Sequence, residues 1–254
     1  MTASTASDLP WYETAFADLY RLIYPHRDDD SAEAEVGALC SALDIRGIGV
    51  RVLDVCCGGG RHAAAFARRG ALAWGMDLSS HLLGRALERG ELAGRLVRGD
   101  IRALPFAPAF DLVVNLFTSF GYFREERENQ RALAEMMRVL RPGGRLVLDH
   151  INRAYVEHNL VEADEKITGA YHIRQRRWMD GNRVRKTITV TDGKGHCVEW
   201  KEDVRLYHCG ELITLLGECG GDRIELWGDF SGVPLTPDSR RMIAVAVRSP
   251  KSKE

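Results

Sequence analysis

The amino-acid sequence predicts an α/β fold: a doubly wound, mostly parallel sheet carrying an inserted antiparallel β meander. Three observations predict it. Short apolar runs alternate with helical segments between residues 50 and 150, which implies right-handed crossovers between parallel strands. The first apolar run ends in Gly58-Gly59-Gly60 and passes straight into a helical pattern. Beyond residue 165 the alternation stops, and three strand-like runs follow with Asp180-Gly181 and Asp192-Gly193 between them, which is hairpin turn chemistry.

Taken in order, apolar Phe16, Leu19, Ile23, Val36 and Leu39 mark a helical pattern over residues 11–42. Asp28-Asp29-Asp30-Ser31 breaks it and can start a second helix. Strands are expected at 50–56, 71–76, 95–98, 110–117 and 145–150, with helices at 61–69, 80–89 and 125–140. Gly70 stops the first helix, and Arg141-Pro142-Gly143-Gly144 closes the third. The meander reads as 171–179, 183–191 and 197–206. A helix at 211–218 and two closing strands, 223–230 and 242–247, follow.

Composition narrows the function classes. The 254 residues are 45% hydrophobic, enough to bury one full core. Lys plus Arg number 35 and Asp plus Glu 36, for a net charge of -1. Such a chain lacks the overall positive field that drives nonspecific nucleic-acid binding. None of the six cysteines forms a C-x-x-C pair or a zinc spacing. Reduced thiols in a cytoplasmic protein are the expectation. Residues 1–10 carry no apolar core of a leader peptide, and no run approaches the roughly 20 apolar residues of a membrane span.

The chemistry concentrates where the first three strands end. Val52-Leu53-Asp54-Val55-Cys56-Cys57-Gly58-Gly59-Gly60-Arg61 carries a strand into a helix through glycines that let the backbone approach a ligand. Asp77 ends the second strand and Asp100 the third. In a doubly wound sheet these ends share one edge, beside the crevice where the strand order reverses. Asp77 can accept hydrogen bonds from two ribose hydroxyls. Asp100 can address an adenine amino group while Ile101 packs on the ring. The glycine loop is left for the polar amino-acid end of the ligand.

These residues resemble the motifs of the class I S-adenosylmethionine-dependent methyltransferases. Val52 to Gly60, Asp77, Gly99-Asp100-Ile101 and Phe110-Asp111-Leu112-Val113-Val114-Asn115 match successive motifs, and Leu140-Arg141-Pro142-Gly143-Gly144-Arg145 is typical of the turn before the fifth strand. The resemblance implies a Rossmann-like, seven-stranded sheet, with S-adenosyl-L-methionine as cofactor and S-adenosyl-L-homocysteine as product. Asp54, Cys56, Gly58, Gly60, Asp77, Leu78, Asp100, Ile101 and Asn115 are the implied cofactor contacts. The family usually has glycine where Cys56 stands, so that side chain must point away from the ligand or the loop must shift. Residues 1–47 form an N-terminal helical lid in this reading, with Tyr20, Tyr24, His26 and Arg27 facing the pocket. Residues 48–160 and 209–254 form the cofactor domain, and 161–208 a substrate-side insert like that of some small-molecule N-methyltransferases. The implied acceptor is a small molecule methylated at nitrogen or oxygen.

Alternatives remain at this stage. Gly58-x-Gly60-x-x-Ala63 also fits a dinucleotide fingerprint, and hence a nicotinamide-dependent oxidoreductase. Against that, Asp54 would set a negative charge beside a pyrophosphate, whereas it suits the ammonium or sulfonium side of S-adenosylmethionine. A noncatalytic S-adenosylmethionine-binding protein and an RNA methyltransferase are further readings. His150 is the general-base candidate, against a histidine satisfied at a strand end; Asn115, Thr118, Ser119, Asn152 and Arg153 stand nearby. Arg174, Arg176, Arg177, Arg183, Arg185 and Lys186 form either a solvated strand face or a surface for an acidic substrate or partner. Tyr171, Trp178 and Trp200 either wall an acceptor pocket or fill the core of the meander. A homodimer is compatible with the sequence.

Overall fold

Asp28 turns its carboxylate onto the Ser31 backbone N–H at 2.8 Å, and α1 (Asp29–Ala42) starts there, as short polar caps favour. The computed structural model describes residues 23–24, 27–46 and 48–250, so Tyr20 and His26 of the expected lid lie outside the described residues. The chain then alternates through β1 (Arg51–Val55), α2 (Arg61–Arg68), β2 (Leu72–Asp77), α3 (Ser80–Leu87), β3 (Leu96–Arg98), β4 (Phe110–Asn115), α4 (Glu126–Val139) and β5 (Leu140–Ile151). After α5 (Arg153–Asn159) come β6 (Ala163–Thr168), β7 (Tyr171–Asp180), β8 (Arg183–Thr191) and β9 (Cys197–Arg205), then α6 (Cys209–Glu218), β10 (Gly221–Trp227) and β11 (Arg241–Arg248).

The main sheet has seven strands in the order β10-β11-β5-β4-β1-β2-β3. Pairs among the first five strands are parallel, and β11 runs antiparallel to both neighbours. Because β1 lies between β2 and β4, the winding reverses beside it, and the crevice opens at the carboxyl ends there. Residues of β1 alternate between two cores: Val52 packs with Val36, Leu39 and Phe66, and Leu53 with Leu133, Met136 and Leu146. Burial on both faces is what a parallel sheet requires.

The expected Arg-Pro-Gly-Gly turn is a bulge inside β5. Leu140 pairs Phe110 and Arg145 pairs Leu112, so residues 141–144 stand out of the ladder with Gly143 at φ +77°.

The insert is a four-stranded antiparallel sheet, β6-β7-β8-β9, one strand more than the sequence suggests. Ala163, Asp164, Glu165, Ile167 and Thr168 of β6 are all exposed. Such a charged edge carries no apolar alternation to read. Arg183 anchors the sheet to the loop before α4, pairing with Asp203 at 2.5 Å and donating to the Phe123 carbonyl at 3.1 Å.

Candidate active site

Three carboxylates converge on one cleft. Asp54 from the end of β1, Asp77 from the end of β2 and Asp100 just past β3 all line a cavity of about 760 Å³, within the size range of small-ligand sites. Gly58, Leu78 and Ile101 line it as well. Each acid is held differently. Asp77 accepts backbone N–H groups from Gly58 at 2.8 Å and Ser79 at 2.9 Å, so it fixes the glycine loop while both oxygens keep further lone pairs. Asp100 is gripped by the Arg102 guanidinium at 2.6 Å and by the Arg102 N–H at 2.8 Å. That hydrogen bonding holds its carboxyl below the usual range.

Asp54 is the group that asks for a ligand. It is only 2% exposed, and its Oδ2 is buried without a hydrogen-bond partner. Burial pushes its carboxyl up to about 7, against the lowering effects of the Ala63 N–H and Arg61. A buried carboxylate with an open oxygen on a cleft wall suits a cationic ligand, since an unpaired charge there is costly. This donor set fits an adenosine joined to an ammonium-bearing amino acid.

The turn after β1 carries strain. Cys56 adopts φ +61°, the left-handed region that favours glycine. Cys56 lines the cleft while packing against the main core. Burial, then the neighbouring Asp77, Asp54 and Asp100, push its thiol well up, and burial does the same for Cys57. Both stay protonated, so neither is a thiolate nucleophile. Gly60 is required twice over, by its φ of +72° and because a Cβ there would sit 2.9 Å from the Ala86 Cβ. Asn115 is fully buried and braces the end of β1 by donating to the Val55 carbonyl at 2.9 Å. It lies behind the cleft wall rather than on it.

A second strained turn follows β4 without a local sequence signal. Phe117 and Thr118 both sit in the left-handed region, at φ +60° and +59°. Asp149, fully buried on β5, clamps them: its carboxylate accepts the Phe117 N–H at 2.7 Å and its carbonyl the Thr118 N–H at 3.0 Å. Arg241 of β11 pairs with the same carboxylate and reaches the Thr118 hydroxyl at 3.2 Å. The Phe117 ring is thereby held at the cleft wall. Three guanidiniums lie over it, Arg61 at 4.3 Å, Arg241 at 4.9 Å and Arg27 at 5.1 Å, and His62 stacks at 5.3 Å. Arg27 lines the cleft, whereas Tyr24 does not. Tyr122 and Ser119 complete this end.

His150 is placed elsewhere. It is fully buried, packed edge-on against Phe120 and Tyr207, and its Nδ1 meets the Ile151 carbonyl at 3.0 Å. Burial lowers its pKa, its Nε2 is buried without a hydrogen-bond partner, and it does not line the cleft where the general-base expectation would place it. Asn152 caps α5 and donates to the Thr236 and Ser239 carbonyls. Part of the basic strip is paired with acids: Arg177 with Asp164, and Arg183 and Arg185 share Asp203, while Arg174 and Arg176 are exposed. Tyr171 and Trp200 pack in the insert's own core, while Trp178 is exposed.

A strand-order switch holding three acids, a glycine turn and an open buried carboxylate defines a nucleoside-binding α/β enzyme. Comparison with known proteins makes the family specific. A family model described as a methyltransferase domain matches residues 52–144. The chain is 34% identical over 216 residues to the dTDP-3-amino-3,4,6-trideoxy-alpha-D-glucopyranose N,N-dimethyltransferase of Streptomyces venezuelae, covering 80% of this chain and 85% of that protein. Among solved structures, S-adenosylmethionine-bound CalS10, an amino pentose methyltransferase from Micromonospora echinaspora, is 25% identical with TM-score 0.68, covering 92% of this chain and 98% of that one. An S-adenosylmethionine-dependent methyltransferase from Clostridium acetobutylicum shares the fold at TM-score 0.77 and 17% identity, over 91% of this chain and 96% of that one. The chain belongs to the S-adenosylmethionine-dependent methyltransferase family. It is an S-adenosylmethionine-dependent methyltransferase.

Proposed function

We propose that the acceptor is an amino sugar or a similar small amine, methylated at nitrogen. The observation that carries this reading is the chain-long similarity to an amino-sugar N,N-dimethyltransferase, insert included. The pairing of Arg177, Arg183 and Arg185 with Asp164, Asp180 and Asp203 supports a small acceptor over an RNA. Six free thiols fit a cytoplasmic setting. Among the described residues no helix is long and apolar enough to cross a membrane.

In this reading Asp77 holds the ribose hydroxyls, Asp100 and Ile101 the adenine, and Asp54 the ammonium of the donor. Arg27, still cationic although burial lowers its pKa to about 10, receives the carboxylate. The donor supplies an already activated methyl group when bound. The chain's task is alignment and exclusion of water. Phe117, Tyr122 and Phe123 wall the cleft and keep it dry at the acceptor end. A neutral amine attacks without a base, and its proton leaves after transfer. Burial drives the Tyr122 hydroxyl upward, so Tyr122 orients by hydrogen bonding and does not take the proton.

The test is methyl transfer from labelled donor to nucleotide-linked amino sugars and to the matching hydroxyl sugars. Label on the amine alone is expected. Label confined to the hydroxyl analogues, or to RNA, overturns the reading.

A further inference from the structure

The insert and the cofactor domain meet at the segment around Tyr24. Lys186 of β8 and Glu202 of β9 are directly paired across the insert sheet. Between them they hold one atom. The Tyr24 hydroxyl donates to Glu202 at 2.9 and 3.2 Å, and Lys186 Nζ donates to that hydroxyl at 2.7 Å while lying 4.7 Å from the ring centre. Lys166 of β6 adds a bond to the Ile23 carbonyl at 3.0 Å. The Ile23 side chain packs with Ile173, Ile188 and Val190 of the insert.

On its other side the segment reaches the donor site. The Arg27 N–H closes onto the Tyr24 carbonyl at 3.1 Å, and the Arg27 guanidinium lies 4.3 Å over the Tyr24 ring. Arg27 lines the cleft; Tyr24, Lys186 and Glu202 do not. Arg27 is thus seated on a ring whose orientation the insert decides.

We propose that Lys186 and Glu202 are positioning residues for donor binding, acting through Tyr24 to hold Arg27 at the cleft wall, so that the substrate-side insert and the donor site are mechanically linked. This rests on the reading that Arg27 receives the donor's carboxylate. An ionic clasp suits the task because a charge-assisted hydrogen bond is short and directional. The Tyr24 ring also gives the guanidinium a face to stack on. Lys186 faces Glu202, Arg177, Arg27 and Asp164, and burial, the largest effect, lowers its pKa to about 8. The clasp therefore loses its cation just above neutral pH.

The experiment is titration of S-adenosylhomocysteine into the full chain and into Tyr24→Phe, Lys186→Met, Glu202→Gln and Arg27→Met, with melting temperatures measured alongside. Tyr24→Phe keeps the ring and removes the clasp. It should weaken binding about tenfold, the net strength of one hydrogen bond to a charged group. Tyr24→Phe combined with Arg27→Met should bind no worse than Arg27→Met alone, because the clasp acts only through Arg27. Wild-type affinity should fall through pH 8 relative to Lys186→Arg, while the rise that Asp54 gives below pH 7 is common to both. If Arg27→Met weakens binding and Tyr24→Phe does not, the clasp proposal alone is overturned. If Arg27→Met binds as well as wild type, the donor-site reading falls with it. Full additivity of the two substitutions also overturns the proposal, since it marks a general structural effect.

Discussion

Replacing Asp149 with alanine should cost about 3–5 kcal/mol of folding stability. Asp149 is fully buried and carries three ties at once: the Phe117 N–H at 2.7 Å, the Arg241 guanidinium, and through its carbonyl the Thr118 N–H. Alanine keeps the carbonyl and removes the other two. Removing one partner of a buried ion pair costs ~3–5 kcal/mol. Arg241 retains about a quarter of its side-chain exposure and can turn to water, which favours the lower end. The abandoned Phe117 N–H adds ~1–3 kcal/mol. The clamp also offsets two left-handed residues, each worth ~1–3 kcal/mol of strain, and part of that strain relaxes when the clamp opens. Asp149→Asn keeps an oxygen for the Phe117 N–H and should cost less, ~1–2 kcal/mol. Urea unfolding of both variants, and of each in an Arg241→Met background, measures the loss and the Asp149–Arg241 coupling. A cost below ~1 kcal/mol for Asp149→Ala, or zero coupling to Arg241, would refute the clamp.

Four further outcomes follow from the cleft. Folding raises the Asp54 pKa from 3.8 to about 7, so its contribution is full below pH 4 and is lost as pH rises to 7. Asp54→Asn should abolish that slope in apo-protein melts, and S-adenosylhomocysteine binding to the wild type near pH 6.5 should release a proton in calorimetry across buffers. Cys56 sits at φ +61°, so Cys56→Gly should melt higher than Cys56→Ala by an amount matching ~1 kcal/mol; equal melting temperatures would deny the strain. Asp77→Ala frees the Gly58 and Ser79 N–H groups and should weaken S-adenosylhomocysteine binding about a hundredfold by titration, two charge-assisted bonds being lost.

Local pattern carried the sheet because each of its signals is short-ranged. A strand, a glycine turn and an acid are neighbours in sequence, and parallel winding alone then brings Asp54, Asp77 and Asp100 to one edge. Cys56 could be flagged as a departure, and the left-handed φ shows why glycine is usual there. What escaped reading depends on distant partners. Nothing beside Phe117 or Thr118 marks a left-handed turn; it exists because Asp149 and Arg241, far along the chain, meet it. β6 was invisible because its side chains serve an exposed edge. His150 looked functional because neutral-range pKa and a strand end are weak criteria. Its pairing partner Met242 and its neighbours Phe120 and Tyr207 make it a core residue instead.

The same logic explains why the Phe117 ring sits where it does. Its guanidinium neighbours come from three places: Arg27 from the segment before α1, Arg61 from the first turn of α2 and Arg241 from the reversed strand β11. Like charges gathered so closely repel, and each needs its own anchor. Arg61 has Glu35 at 3.4 Å, Arg241 has Asp149, and Arg27 feels Glu202 across the Tyr24 clasp. Those three acids stand on three different elements, α1, β5 and β9. Displacing any one of the elements shifts a cation over the ring that walls the cleft. Glu202 of the insert therefore bears by charge on a cation at the cleft wall without itself lining the cleft.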